Sequence, residues 1–475
     1  MLTRTANGDS HLSRWLRVRE FAVPPSMIDA ATARRSAGDW AGACAAAGID
    51  VDLGLRSVAR THGRELAARV RADLRRLAPD LLRWHLPRIA PDGLLRPGLT
   101  ITLARYDDAG PDGECPVHLV VRTPPAWADA GQRISLALWD GSHFGAGACR
   151  HPHPRPDRRF RLDLHRHLWD ARRAGELRIR SGADRLLADG PAAPGPDLPD
   201  PYPDLLGPGP QDRRCAVDRW AAEAGLLLRA EGRPAGAVTV RLGARQRLVL
   251  DVAADRDGAG PPALRIAAPS SADGGAAALP VLPDAATWVL PDLELIRAGL
   301  IEVGRLHPLV ASALAPDHPR AGPLRTPDRP GHPRLVECRG SRHRIGLVDG
   351  VLSPLDHDPA EIRREELLAA LTGTPLPCLQ AIDLAHRRPD CLAGVRERLD
   401  HGDTAGALAV VEGLLGPDAV LRSGDLRDEL EAAALRRITY GLFRAGLAGP
   451  DPGRIHPERR RSRDFRAHPR HALSR

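Results

Sequence analysis

Residues 66–103 read LAARVRADLRRLAPDLLRWHLPRIAPDGLLRPGLTITL, and the hydrophobic period changes inside that stretch. Leu66, Val70, Leu74, Leu77, Leu81 and Leu82 recur at the three-to-four spacing of a helix face turned to a core, with Pro79 and Pro87 as stops or kinks. From Leu99 the period is two: Leu99-Thr100-Ile101-Thr102-Leu103 alternates as a half-buried strand does. A helical block followed by a β block within one chain predicts an α+β fold. Working outward, Pro24-Pro25 opens the helical block, where Met27, Ile28 and Ala31 begin an apolar stripe. Downstream, Val117–Val121, Ile134–Trp139, Phe160–Leu164 and Leu177–Arg180 read as further strands.

Beyond these, proline recurs from Gly190 to Gln211 and interrupts helix and sheet alike. A helix near Val217–Ala230, strands at Ala237–Val240 and Leu248–Leu250, and a helix from Pro291 to about Val303 follow. A hairpin comes next: Leu335–Cys338 and His343–Leu347, with Gly340-Ser341 as its turn, then Asp349-Gly350 turning toward Val351-Leu352. Helices dominate from Asp358, an N-cap with Glu361 three residues on. The expected organisation is an arm (1–23), a helical domain (24–97), an antiparallel β-rich domain (98–182), a proline-rich linker (183–213) and an α/β segment (214–315) with a mobile stretch at 253–283. A second linker (316–333), a hairpin-plus-helical domain (334–450) and a basic disordered tail (451–475) complete it. Helical domains thus flank β-rich ones.

Composition narrows function. The chain has 475 residues, 43% of them hydrophobic, enough for real cores and for about three domains. All 68 basic residues are arginine. Without lysine there is no P-loop, protein-kinase or Schiff-base chemistry; codon bias is the plain cause of the absence. The net charge of +8 is concentrated at the end, where residues 453–475 carry eight arginines against Glu458 and Asp464. Nucleic-acid binding is therefore a reading for that tail alone, set against a solvated tail. Seven scattered cysteines without a C-x-x-C pair read as reduced core thiols. With no leader-like start and no long apolar run, the expected location is cytoplasmic and no membrane partner is expected.

Two constellations invite chemistry. His151, His153, His165 and His167 form two His-x-His pairs, the spacing of a metal site on a strand, although proline and arginine around the first pair favour a solvated loop. His143 and Cys149 lie nearby in sequence. Asp356-His357-Asp358, with His343 and Asp349 upstream, offers carboxylates flanking imidazole, as a divalent ion or a general base requires. The plain account is a turn followed by a capped helix. No nucleophile elbow, zincin or dinucleotide motif is present, and no cofactor is expected. The phrase G-D-x-x-G-A occurs twice, at Gly38–Ala43 and Gly402–Ala407; it predicts a helical hairpin in which glycine ends one helix and aspartate caps the next.

Three stretches, Val23–Ile28 through Gly38-Asp39-Trp40, Pro79–Arg88 and Arg122–Trp127, carry a likeness to a known group. In them the chain resembles an uncharacterised actinobacterial (Streptomyces-like) family with no assigned activity. The resemblance implies a companion of MoxR-type AAA ATPase and von Willebrand A-domain systems, hence protein partners. The expected function is non-catalytic interaction as an adaptor. A metal-assisted hydrolase using His343, Asp356, His357 and Asp358 is the alternative, and nucleic-acid binding through the tail is a second one.

Overall fold

The computed structural model describes residues 11–107, 116–129, 131–141, 151–183, 213–243, 246–253, 264–267, 279–317, 334–373 and 375–449. The fold is α+β and multidomain. Its described residues group into two compact units: one takes in those of 11–317 except 128–132, together with 449, and the other takes in those of 128–132 and 334–448. His143, Cys149, the stretches expected as linkers around 190–211 and 318–333, and the basic tail lie outside the described residues.

The N-terminal unit begins with helical turns from residue 11, closing in a wide turn at Val18–Ala22. Trp15, Val18 and Ala22 sit in the core, so part of the stretch expected as an arm is packed structure. Helices Pro25–Ser36, Trp40–Ala46, Leu55–Thr61, Gly63–Arg76 and Pro79–His85 follow. Pro25 and Pro79 open theirs at the first helical position, where no backbone donor is missed. The four-stranded sheet comprises β1 (Ile49–Val51), β2 (Thr100–Tyr106), β3 (Val117–Arg122) and β4 (Ile134–Trp139). Its order is β1-β4-β3-β2; β2, β3 and β4 form an antiparallel meander, and β1 joins β4 in parallel.

One hydrophobic cluster runs from Leu66, Val70 and Leu74 through Ile101, Leu119 and Leu136 to Trp169, Leu293 and Val310. The change of period near Leu99 therefore marks a change of secondary structure inside one core. A second cluster holds the helix Val217–Ala230 against β5 (Gly236–Arg241), β6 (Arg247–Val252) and β7 (Leu264–Ala267), with Trp220, Leu250 and Trp288 at its centre.

Two expected strands are absent. Over Phe160–Leu164 the chain turns: Arg161 forks onto Asp163 two residues on, His165 N donates to Leu162 O, and Trp169 Nε1 donates to the same carbonyl at 3.1 Å. Leu177–Arg180 is one helical turn that buries Leu177 and leaves Ile179 exposed. Its alternation of apolar and basic residues did not reflect two faces of a sheet. Likewise the helix from Pro291 ends at Arg297, with Gly299 left-handed at φ +64° just beyond.

In the C-terminal unit an antiparallel meander of β8 (Arg334–Cys338), β9 (Ser341–Val348) and β10 (Val351–Pro354) precedes helices Pro359–Thr372, Pro377–Arg387, Leu392–His401, Thr404–Leu415 and Asp425–Arg444. The first turn is made by Arg339-Gly340, one residue earlier than expected. Both its residues have positive φ, as do Asp349-Gly350 in the second, the conformation that two-residue hairpins prefer.

Both copies of the repeated phrase form the same helix–turn–helix. Gly38 and Gly402 are left-handed (φ +80° and +88°), and Asp39 and Asp403 accept from Gly42 N and Gly406 N at 2.8 and 2.9 Å. Arg34 and Arg398, five residues before each aspartate, bind its other oxygen. The second glycine has a reason the sequence did not reveal: a Cβ there would lie 2.0 or 2.1 Å from the capping carboxylate. Glycine there makes room for the cap.

Candidate metal centre

Cys338 ends β8, and pairing of Cys338 with Ser341 and of Val336 with His343 places Cys338, His343 and Ile345 on one face of the hairpin. That face is buried at Ile345 and Cys338 and packs with Leu376 and with Cys378 and Ile382 of the helix Pro377–Arg387. Pro377 opens that helix, so Cys378 stands in its first turn. His357 directly precedes Asp358, whose carboxylate caps the helix Pro359–Thr372 by accepting from Ala360 N at 2.7 Å.

These placements bring Cys338 Sγ, His357 Nε2 and Cys378 Sγ to within 4.8 Å of one another. The Cys378 thiol contacts His357 Nε2 at 3.6 Å, and Glu361 Oε2 lies 3.5 Å from His357 Nδ1. With the Glu361 carboxylate on its Nδ1 side, His357 presents Nε2 to the Cys378 thiol, the side-on arrangement in which a carboxylate supports a metal-ligating histidine. Arg339 Nη1 in turn donates to Glu361 at 2.7 Å. Both thiols are fully sheltered and the His357 side chain is only 4% exposed. Burial pushes the Cys378 thiol up to about 11, with Cys338 and Asp356 adding to the effect. Two thiols and an imidazole are a donor set for a soft or borderline divalent cation such as Zn²⁺, and such an ion displaces the thiol protons on binding.

The four residues read from the sequence as enzyme-like are divided by the fold. His343 stacks on His357, centroids 4.3 Å apart and planes 22° apart. Asp356 turns to Arg344, whose backbone N and guanidinium both donate to it, and this holds its carboxyl down at about 2. Asp358 serves as the cap. The imidazoles thus converge with thiols, and the carboxylates leave. Cys338 and Cys378, read as core thiols, were the residues missed; the retrievable signal was Cys338-x4-His343 straddling a two-residue turn.

The other histidine pairs occupy the N-terminal unit. His151 Nε2 lies 2.8 Å from Thr123 O, and its Nδ1 accepts from His153 N at 3.2 Å. Its ring is satisfied by backbone. His165 and His167 lie 5.7 Å apart, centroid to centroid, and line a small cavity with Arg180, Arg219, Glu223 and Trp288. Glu223 is forked by Arg180 at 2.7 and 2.6 Å, with His165 Nε2 at 3.2 Å. Burial works to raise the Glu223 carboxyl, but these partners hold it down at about 2. Among the described residues, only Cys338, His357 and Cys378 come together at metal-ligand spacing.

Burial lowers His151 from its ordinary 6.5 to about 4 and His11 to about 3, and it holds His85 and His167 well below the ordinary value. Each folded ring holds its proton less tightly than the unfolded one. The stability it contributes is whole above pH about 6.5 and is lost as the pH falls toward 4. His151 alone is worth roughly 2–3 kcal/mol over that window. Urea midpoints of the N-terminal unit should fall steeply between pH 6.5 and 4, and His151→Gln should flatten part of the slope. A flat profile would refute the assignment.

No protein-family model, curated protein or solved structure matches the chain. Among the described residues, no single helix is long and apolar enough to cross a membrane.

Proposed function

We propose that this chain is a non-catalytic interaction protein whose C-terminal unit is organised by a bound Zn²⁺ ion. The observation that carries the reading is the convergence of Cys338 Sγ, His357 Nε2 and Cys378 Sγ in a sheltered position, with Glu361 behind the imidazole. A catalytic zinc keeps an open vertex facing a cleft and a base nearby. Here the ligands are buried, and Asp356 and Asp358, the acids a hydrolase would use, are engaged by Arg344 and by a helix start. The hydrolase alternative is accordingly the weaker reading.

For interaction, the helix Pro359–Thr372 is the relevant surface. None of its residues is buried, and Leu367, Leu368 and Leu371 are exposed, Leu371 at 86%. Exposed aliphatic groups gathered on one helix suit a partner protein's apolar surface. An ATPase assembly of the MoxR type is the partner that the sequence resemblance suggests.

Metal analysis of the chain purified without chelator tests the centre. About one zinc per chain is expected, lost in Cys338→Ser and Cys378→Ser. Wild-type protein that takes up no zinc, even when refolded with it, ends the reading. A partner identified by cross-linking in the native host should bind Leu367→Arg/Leu371→Arg more weakly than wild type, and equal affinity would remove this helix as the contact.

A further inference from the structure

We propose that His343 is the fourth ligand, closing the centre as a Cys₂His₂ site with no vertex left for water or substrate. This rests on reading Cys338, His357 and Cys378 as a metal centre. Zinc held by thiolates in a sheltered structural site is almost always four-coordinate and tetrahedral, so three protein donors leave one position to be filled by the protein or by water. Three observations point to His343.

The first is register. His343 pairs with Val336 two residues before Cys338, on the face of the hairpin that carries Cys338 and Ile345 inward. The second is proximity. Its ring lies against that of His357 at 4.3 Å, so both imidazoles border the same space. The third is an unmet need. His343 Nδ1 is shielded from solvent and has no hydrogen-bond partner, a costly state for a ring nitrogen that a metal bond would relieve. The neighbouring carboxylate does not meet this need, because Asp356 is occupied by Arg344. Coordination requires the His343 ring to turn off its stack and aim a nitrogen at the ion.

A site closed in this way is a clamp. It joins the end of β8, the start of β9, the approach to the helix Pro359–Thr372 and the first turn of Pro377–Arg387, and it does no Lewis-acid work on a substrate. The arrangement also accounts for the spacing Cys338-x4-His343, since a two-residue turn folds the cysteine and the histidine back onto one face.

Anaerobic Co²⁺ titration of the full-length chain tests this. Wild type should show intense d–d bands of tetrahedral geometry with sulfur-to-cobalt charge transfer. His343→Ala should bind at least about tenfold more weakly, the lower end of what even supporting residues of a metal site are worth. Its d–d spectrum should change as solvent enters, and added imidazole should restore the wild-type spectrum. His343→Cys should keep tetrahedral bands and gain charge-transfer intensity from a third thiolate, an outcome available only to a residue at the ligand vertex. If wild type and His343→Ala bind Co²⁺ alike with one spectrum, or if His343→Cys adds no charge transfer, His343 is not a ligand although the three-donor centre stands. If wild type binds no Co²⁺, the centre itself fails.

Discussion

Removing the metal is expected to unfold the hairpin and the first turn of Pro377–Arg387 selectively and to lower the stability of the C-terminal unit by about 3–5 kcal/mol, less than structural zinc contributes to an isolated finger. The cluster beneath the hairpin has five buried members, Cys338, Ile345, Leu376, Cys378 and Ile382, with Val336, Leu352, Leu379 and Ala381 half-buried against them, a small core for a three-stranded meander on a helix without a staple. The remaining helices have a larger core, with Leu392, Val395, Leu399, Val411, Leu415 and Leu426, which Ala385 near the end of Pro377–Arg387 joins and against which Leu352 of β10 packs. Chelation should therefore abolish amide protection in the hairpin and the first turn of Pro377–Arg387 while protection persists over 392–444. The pre-existing packing here reduces the dependence on the ion. Hydrogen exchange with and without chelator decides the matter. Unchanged protection in the hairpin and that first turn after complete zinc removal would show that the ion, if bound, holds nothing together.

Asp292→Ala should cost the N-terminal unit about 3–5 kcal/mol, the scale of a buried ion pair broken from one side. Arg19 and Asp292 are both buried. Nε donates to Oδ1 at 2.9 Å and Nη2 to Oδ2 at 2.6 Å, while Nη1 donates to Trp84 O at 2.9 Å. Trp84 Nε1 adds a bond to Asp292 at 3.1 Å, and the guanidinium lies over the Trp84 ring at 4.1 Å. Burial lowers Arg19 from its ordinary value, with the Asp292 carboxylate opposing, so deleting the acid leaves a desolvated cation. The double variant Arg19→Met/Asp292→Leu should lose less than Asp292→Ala, because it removes the charge and the need for it together. Denaturant midpoints at constant m measure both. A single variant milder than the double would contradict the account.

Much of the architecture was open to local reading. Period two located β2, β3 and β4, and proline at first helical positions and the aspartate caps marked helix starts, because those signals depend on neighbours a few residues away. The same locality explains the failures at Phe160–Leu164 and Leu177–Arg180. Alternation gives a strand only where the backbone pairs continuously with a neighbour. Beside β2 only Asp157 N and Leu162 N reach across, to Thr100 O and Thr102 O, before the chain turns at Leu162–His165, and Leu177–Arg180 meets its own backbone needs as a helical turn. The candidate site was half legible. His343 and His357 were picked out, but for the company of carboxylates that the fold directs to Arg344 and to a helix cap.

The sequence by itself determined the α+β class, the repeated Gly-Asp helical turns, the Asp349-Gly350 turn and the exclusion of lysine-dependent chemistry. These follow from residue type and short-range spacing. Only the tertiary structure decided that Cys338 and Cys378, forty positions apart, meet His357, and that Arg19 needs Asp292. The energy of a buried thiol or charge depends on which distant group shares its low-dielectric surroundings, and no local pattern records that.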